Sequence, residues 1–289
     1  NSISKIFVAE ISKDDINENL AAEKIANHVT SKDILKTKAV NGRADFYSSF
    51  SGMLNFDLKS LININYYNND IALSTLERYS LVSKGQLIGN VKVLPYAIQK
   101  RKLDKIVKSQ KYKNLFSVNN VKNLKISLIL SLQDLEENHE KIVSSIKNRL
   151  DKFDLKISSI KKVLHNAESL SYELKKTIDK KDDLILIYGS TSISDLKDVV
   201  PSSIKKNKGK IISLGTPTDP GNLILLASKN KSLIVGVPGC AKSMSRNGFD
   251  IIIDRVCHGI SLNKMMVAEM SQGGLFKKII RKSNLSRTN

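Results

Sequence analysis

The residues of this chain best suited to chemistry lie at 188–198, Tyr-Gly-Ser-Thr-Ser-Ile-Ser-Asp-Leu-Lys-Asp. Gly189 can take a positive φ, and Ser190, Thr191 and Ser192 offer hydroxyls and, in an irregular turn, free backbone amides. Donors of that kind hold an anion, above all a phosphate, where a helix N-terminus adds its own outward-pointing N–H groups. Asp198 is placed as the N-cap of a helix running through Val199, Val200 and Ile204, and Pro201 fits its first turn, where a missing N–H costs nothing. Two plainer readings stand beside these: an ordinary strand-to-helix turn, and an Asp198 that only caps its helix, contributing about 1 kcal/mol.

Such a loop needs a strand behind it, and Leu184-Ile-Leu-Ile187 supplies one, an unbroken apolar run typical of a parallel strand buried on both faces. Two similar turns follow apolar runs downstream. Gly215-Thr-Pro-Thr-Asp-Pro-Gly-Asn222 comes after Ile211–Leu214, and Gly236-Val-Pro-Gly-Cys-Ala-Lys-Ser243 comes after Leu233–Val235. Ligand loops of an open α/β sheet gather at the carboxyl ends of its strands, so 189–198, 216–222 and 238–243 are expected to line one cleft.

The three loops together resemble the molybdopterin-binding domain shared by molybdopterin molybdenumtransferase and molybdopterin adenylyltransferase, over roughly Leu124 to Ile260. Gly189-Ser-Thr-Ser192 followed by Asp195 and Asp198 is similar to that family's first loop, with Ser190 in place of a second glycine. Pro238, Gly239 and Ser243 match its last loop, and Pro220-Gly221-Asn222 its intervening turn. The resemblance implies an α/β domain of the molybdopterin-binding fold, a parallel sheet with helices on both faces, acting in molybdenum cofactor biosynthesis. It implies molybdopterin, or its nucleotide derivative, as ligand or substrate, held by Gly189, Ser190, Thr191, Ser192, Asp219, Gly221, Asn222, Pro238, Gly239 and Ser243. Asp195 and Asp198 take the catalytic and Mg²⁺-placing roles.

Arg43-Ala-Asp45 with Ser51-Gly52, Gly89–Pro95 and Gly273-Gly-Leu275 are similar to a bacterial subgroup with a short β-rich segment before this domain. Longer relatives in that subgroup carry a nucleotidyltransferase, which implies such an enzyme of the same pathway as a partner; relatives also commonly associate, which implies a homo-oligomer. Adenylyl transfer, molybdenum insertion and simple presentation of the cofactor stay open. The adenylyltransferase branch has an acidic residue in a turn where this chain has Val163-Leu-His-Asn166, with no carboxylate before Glu168. His165 reads as a loop residue, although its ordinary pKa would suit acid/base work.

The rest of the chain divides by its periodicity. The first part carries strand-like runs at Lys5–Ala9, Arg43–Phe50, Gly52–Asp57, Leu61–Ile64 and Gln86–Leu94, and a helical stretch over Asn17–Val29 with Leu20, Ala21, Ile25 and Val29 on one face. A basic segment after Pro95, with a helix over Leu103–Val107, leads to the second part. From Leu124 the order becomes strand (124–132), helix (Leu135, Ile142, Val143, Ile146, Leu150), strand (155–163), helix (167–177) and strand, with a last helix whose core face is Phe249, Ile252, Ile253 and Val256. That alternation calls for right-handed crossovers. We therefore expect a β-rich α+β domain at 1–115 and an α/β domain at 116–289; a start at Asn1 rather than Met implies that the first lacks its beginning.

At 289 residues and 41% hydrophobic the chain can build real cores. No run of it is long and apolar enough to span a membrane and no charged-then-apolar leader opens it, so a cytoplasmic protein is expected. Cys240 and Cys257 lack metal-ligand spacing, which fits a reducing compartment and speaks against structural zinc.

The net charge of +19 is spread over every element rather than gathered into a patch. Lys100–Lys108 and Lys277–Lys282 thus read as solvated helix faces, and a basic nucleic-acid-binding module is the weaker alternative. Another alternative is an ATP-binding P-loop at 236–243, but Ala241 stands where its second glycine belongs and Pro238 removes an amide.

Overall fold

A computed structural model describes residues 10–276; the expected strand at Lys5–Ala9 and the basic run Lys277–Lys282 lie outside them. The chain divides into two units between Val121 and Lys122.

The first unit contains, in order, β1 (Asp15–Asn17), α1 (Glu18–Val29), β2 (Ile34–Lys36), β3 (Arg43–Ser48), β4 (Gly52–Phe56), α2 (Leu58–Tyr67), β5 (Ile71–Thr75), β6 (Leu81–Val82), β7 (Leu87–Val93), β8 (Ala97–Gln99), α3 (Lys100–Val107) and β9 (Phe116–Asn119). Its sheets are antiparallel: β2-β3-β7-β5, β6-β4-β9 and the pair β1-β8. The Asn17 side chain accepts from the Asn19 N–H at the head of α1, which buries Ala21, Ala22, Ile25, Ala26 and Val29 at helical spacing. Phe46, Phe56 and Phe116 meet in the core.

Two expectations change in this unit. Leu61–Ile64 is helix rather than strand, because Asp57 caps α2 by accepting from Ser60 N–H and Leu61 and Ile64 are buried three apart. The boundary expected after residue 115 moves to Val121, because Phe116–Asn119 pairs with β4. The basic segment forms α3, which buries Leu103 and Ile106 while Asp104 pairs with Lys108 on its exposed side.

The second unit contains β10 (Ile126–Leu132), α4 (Glu140–Asp151), β11 (Ile157–Leu164), α5 (Ala167–Asp179), β12 (Leu184–Gly189), α6 (Val199–Lys206), β13 (Lys210–Leu214), β14 (Leu225–Lys229), β15 (Ser232–Val237), α7 (Gly248–Cys257) and α8 (Lys264–Glu269). One six-stranded sheet runs β11-β10-β12-β15-β14-β13. The first four strands are parallel, as expected, while β14 and β13 add an antiparallel edge that the alternation did not reveal.

Side-chain alternation sorts the layers. Ile129, Ile185, Ile187, Ile234 and Ala227 pack with Leu170 and Leu174 of α5 and Val200 and Ile204 of α6. Their neighbours Leu128, Leu130, Leu184, Leu186 and Val235 are just as buried and face the opposite side, where α4 and α7 pack on each other. Right-handed crossovers require this arrangement: β10 connects outward to β11, and β11 connects back past β10 to β12, so α4 and α5 fall on opposite faces.

The turn before β14 is locked to α7. Gly221 is buried at φ +118°, and a Cβ there would lie 2.6 Å from the Gly248 nitrogen, whose N–H donates to Pro220 O at 2.9 Å. A Cβ on Gly248 would in turn strike the Thr218 hydroxyl. Gly221→Ala should therefore lower stability by about 1–3 kcal/mol from backbone strain alone, with close contact to backbone adding to it. Urea unfolding checks this; an unchanged midpoint would show that the turn relaxes freely.

Candidate functional site

β10 leads through α4 to β11 on one side, while β12 lies on its other side, so the carboxyl ends of β10 and β12 flank the topological switch point of the sheet. The 190–198 loop leaves β12 there. Ser190 N–H donates to Ser131 O at 2.9 Å, and Ser190 Oγ accepts from Gln133 N–H at 3.1 Å, tying the loop to the end of β10. Ser190 is thus a structural tie. Among the described residues no acceptor is paired with the amides of Thr191 and Ser192, both exposed.

Gly189 is not left-handed as expected; it ends β12 in strand conformation. Its missing side chain instead makes room, since a Cβ would sit 3.2 Å from the His165 ring and 3.3 Å from Thr191 O.

Asp198 does stand at the N-cap of α6, but its side chain points back into the loop. Oδ2 accepts from Ser194 N–H at 2.7 Å and Asp195 N–H at 2.8 Å. The third helical residue is Pro201, which has no N–H for it to accept from. Asp195 in turn accepts from Lys197 N–H at 2.7 Å. The two backbone hydrogen bonds hold the Asp198 carboxyl below its usual range.

His165 was read as a loop residue, yet it joins the site. It follows β11, and its ring bridges Ser131 Oγ (2.9 Å from Nδ1) and Thr191 Oγ1 (2.8 Å from Nε2). Burial pushes its pKa down, against smaller upward effects from Ser131 and from the Asp198 charge. Only the end-to-end register of β10, β11 and β12 reveals this; in sequence the three residues are far apart.

The third loop is held from beneath by Arg149 of α4, 2% exposed. Its guanidinium donates to Ala241 O at 3.1 Å, to Ser243 O at 2.8 Å and to the Asp250 carboxylate at 2.9 Å, while Ser145 Oγ also donates to Ala241 O. Asp250 serves a second purpose in the capping box of α7, accepting from Asn247 N–H. Ser243 Oγ accepts from Ser245 N–H at 3.1 Å.

The P-loop alternative loses its geometry here. Ser243 is extended, and the helix begins only at Gly248. Lys242 turns toward Tyr188, 5.4 Å from the ring, and a hydrogen bond to Tyr188 raises its pKa.

A cavity of about 70 Å³ lies between Tyr188–Ile193 and Val237–Gly239, with Leu223 also on its lining. The first and third loops therefore do converge. Gly239 lines this cavity, and a Cβ there would meet nothing within 4 Å.

The middle loop stands apart from it. Asn222 lines a neighbouring open cleft of about 890 Å³ together with Leu196, Leu214–Pro217, Lys205 and Lys264. Gly221 is buried against α7, and Asp219 is engaged through its backbone, donating to Gly274 O and accepting from Phe276 N–H. The Gly273-Gly274-Leu275 segment thus clasps this turn, and a Cβ on Gly274 would strike Pro217 O.

No group of three or more His, Cys, Asp or Glu gathers among the described residues. Burial raises both thiol pKa values, Cys257 to about 12, so neither is a thiolate nucleophile at neutral pH. No described helix is long and apolar enough to cross a membrane.

Set beside known proteins, the sequence matches no protein-family model and no curated protein. Among solved structures the chain is similar to the molybdopterin biosynthesis MoeA protein from Pyrococcus horikosii, at 10% identity over 85% of this chain and 80% of that one, with a TM-score of 0.37. It is similar to CinA, of unknown function, from Thermoplasma acidophilum, at 11% identity over 42% and 92%, TM-score 0.34. It is also similar to MogA, at 15% identity over 47% and 96%, TM-score 0.32. At such identities and scores, a functional reading has to rest on the geometry of the site.

Arg149→Ala should cost roughly 3–5 kcal/mol, because it leaves the buried Asp250 carboxylate without its counter-charge and Ser243 O without its donor. Arg149→Met combined with Asp250→Leu should recover part of that loss in urea unfolding. Acid should open the first loop in a defined window. Because the folded pKa of Asp198 is depressed, its stabilisation is fully present above the unfolded value and is lost as pH falls through the folded one, below 3.8. The amide resonances of Ser194 and Asp195 should shift together in that range, and Asp198→Asn should abolish the transition.

Proposed function

We propose that the second unit binds molybdopterin or its nucleotide derivative and acts in molybdenum cofactor biosynthesis, with the ligand's terminal phosphate in the small cavity at the switch point. The observation that carries this reading is that Thr191 and Ser192, whose amides have no acceptor among the described residues, line that cavity together with Pro238 and Gly239. N–H and O–H donors to a charged phosphate form stronger hydrogen bonds than neutral pairs do, and no side-chain cation has to enter the cavity. The adjoining cleft, with Leu196, Leu214 and Pro217 on its walls and Lys205 and Lys264 at its margin, suits the flat, polar-edged remainder of the ligand. Gly239 belongs to the phosphate side, since the fold itself places nothing near its Cβ position.

Asp198 and Asp195 are the groups that would hold Mg²⁺. Each has one oxygen engaged by loop amides, and the depressed pKa keeps Asp198 anionic, which fits a hard cation that takes one or two carboxylates plus phosphate oxygens. When bound, such an ion would neutralise phosphate charge. A nucleotidyltransferase of the same pathway is the partner this reading implies, in the cytoplasm, with this chain presenting the cofactor.

Molybdopterin affinity, measured with and without Mg²⁺, tests the reading. Thr191→Val should weaken binding by about 1.5–3 kcal/mol through loss of a donor to a charged group. Gly239→Ala should leave the urea midpoint unchanged and still weaken binding. Asp198→Asn, which retains an acceptor for Ser194 and Asp195, should bind as well as wild type without Mg²⁺ and gain nothing from it. Wild-type affinity in both Thr191→Val and Gly239→Ala would place the phosphate elsewhere.

A further inference from the structure

We propose that His165 is a positioning residue for the anion loop, aiming the Thr191 hydroxyl into the cavity and making anion affinity depend on pH. The proposal rests on the phosphate-binding reading of the 190–193 cavity and adds a device to it. Its basis is the chain Ser131 Oγ, His165 Nδ1, His165 Nε2, Thr191 Oγ1, whose two hydrogen bonds measure 2.9 and 2.8 Å. The chain spans three parallel strands at the switch point, and a Cβ on Gly189 would press on the ring at 3.2 Å.

A neutral imidazole donates from one nitrogen and accepts at the other. If Nδ1 accepts from the Ser131 hydroxyl, Nε2–H donates to Thr191 Oγ1 and the Thr191 proton is left to donate to an anion. With the opposite tautomer, Thr191 must donate to Nε2 and turns a lone pair toward the cavity, which repels an anion. An anion therefore selects the first arrangement. Protonating the ring enforces it, because both nitrogens then donate and a positive charge is added.

The charge that acts on the ring is that of Asp198, at the head of α6, and its effect is smaller than that of burial; β10 presents Ser131, β12 presents Gly189 and the loop presents Thr191, none of which titrates in this range. Burial favours the neutral ring in the empty protein, so an anion has a proton to gain on binding. By linkage, binding then raises the His165 pKa and affinity rises as pH falls through it.

Sulfate is a suitable probe, because its charge is constant across the window in which histidine titrates. Sulfate titrations of the full chain between pH 5 and 8 would be followed by the amide resonances of Thr191 and Ser192 and by the imidazole resonances of His165, with His28, His139 and His258 as internal controls. Sulfate should shift both amides, raise the His165 pKa, and bind about tenfold more tightly at low pH for each unit of that rise. His165→Gln retains a neutral donor within reach of Thr191 and should bind sulfate with a flat pH profile. His165→Phe should bind more weakly at every pH, with the same flat profile. If sulfate moves the two amides but His165→Gln keeps the wild-type pH slope, or the His165 pKa is unmoved at saturation, the positioning role is overturned and the anion site stands. Were the Thr191 and Ser192 amides unmoved in the wild type, both would fall.

Discussion

The guanidinium of Arg149 is the interaction on which the second unit's loop geometry depends. One buried cation reaches from α4 to two carbonyls of the 238–243 loop and to Asp250, which in turn caps α7. Taking a charge out of water is costly, and the cost is offset only when every donor finds a partner. Here the partners come from the 238–243 loop and from α7, so one side chain ties both to α4. The arginine does not enter the cavity; it fixes the loop whose Pro238 and Gly239 form one wall. The opposite wall is held by a different means, through Ser190 on the end of β10 and the Asp198 carboxylate folded back onto Ser194 and Asp195.

With both walls pinned by these contacts, the Thr191 and Ser192 amides, with no acceptor of their own among the described residues, are left on the cavity's lining. That division of labour suits a phosphate. Donors fixed in advance need little reorganisation to meet a charge, whereas mobile lysines would have to be ordered on binding. The strongly basic composition contributes no lining residue to the small cavity, and Lys205 donates instead to Leu196 O.

Much of the fold was legible because its strongest signals are local. The apolar run at 184–187, the helical spacing of Ile142, Ile146 and Leu150, and that of Phe249, Ile252 and Ile253 placed β12, α4 and α7 correctly. Leu61–Ile64 misled because four residues do not distinguish a strand from a helix turn, and the Asp57 cap decides. The antiparallel β13–β14 edge was hidden because an apolar run carries no direction. Within the site, the first and third loops could be found from small residues following strands. His165 could not, since its role depends on which strands are neighbours. Arg149 could not either, because a single arginine in a lysine-rich helix gives no sign of burial. Asp198 was expected to cap forward, and Pro201 already held the clue that it would not.

The central claim is that a phosphate sits between the Thr191–Ser192 amides and Gly239. A crystal structure of the full chain with molybdopterin tests it most directly. The account predicts the phosphorus at the small cavity, its oxygens within hydrogen-bonding distance of the Thr191 and Ser192 amides and the Thr191 hydroxyl, with the remainder of the ligand along the cleft bounded by Leu196 and Pro217. A phosphate resting instead on Lys205 and Lys264, with the 190–193 amides still facing solvent, would contradict it.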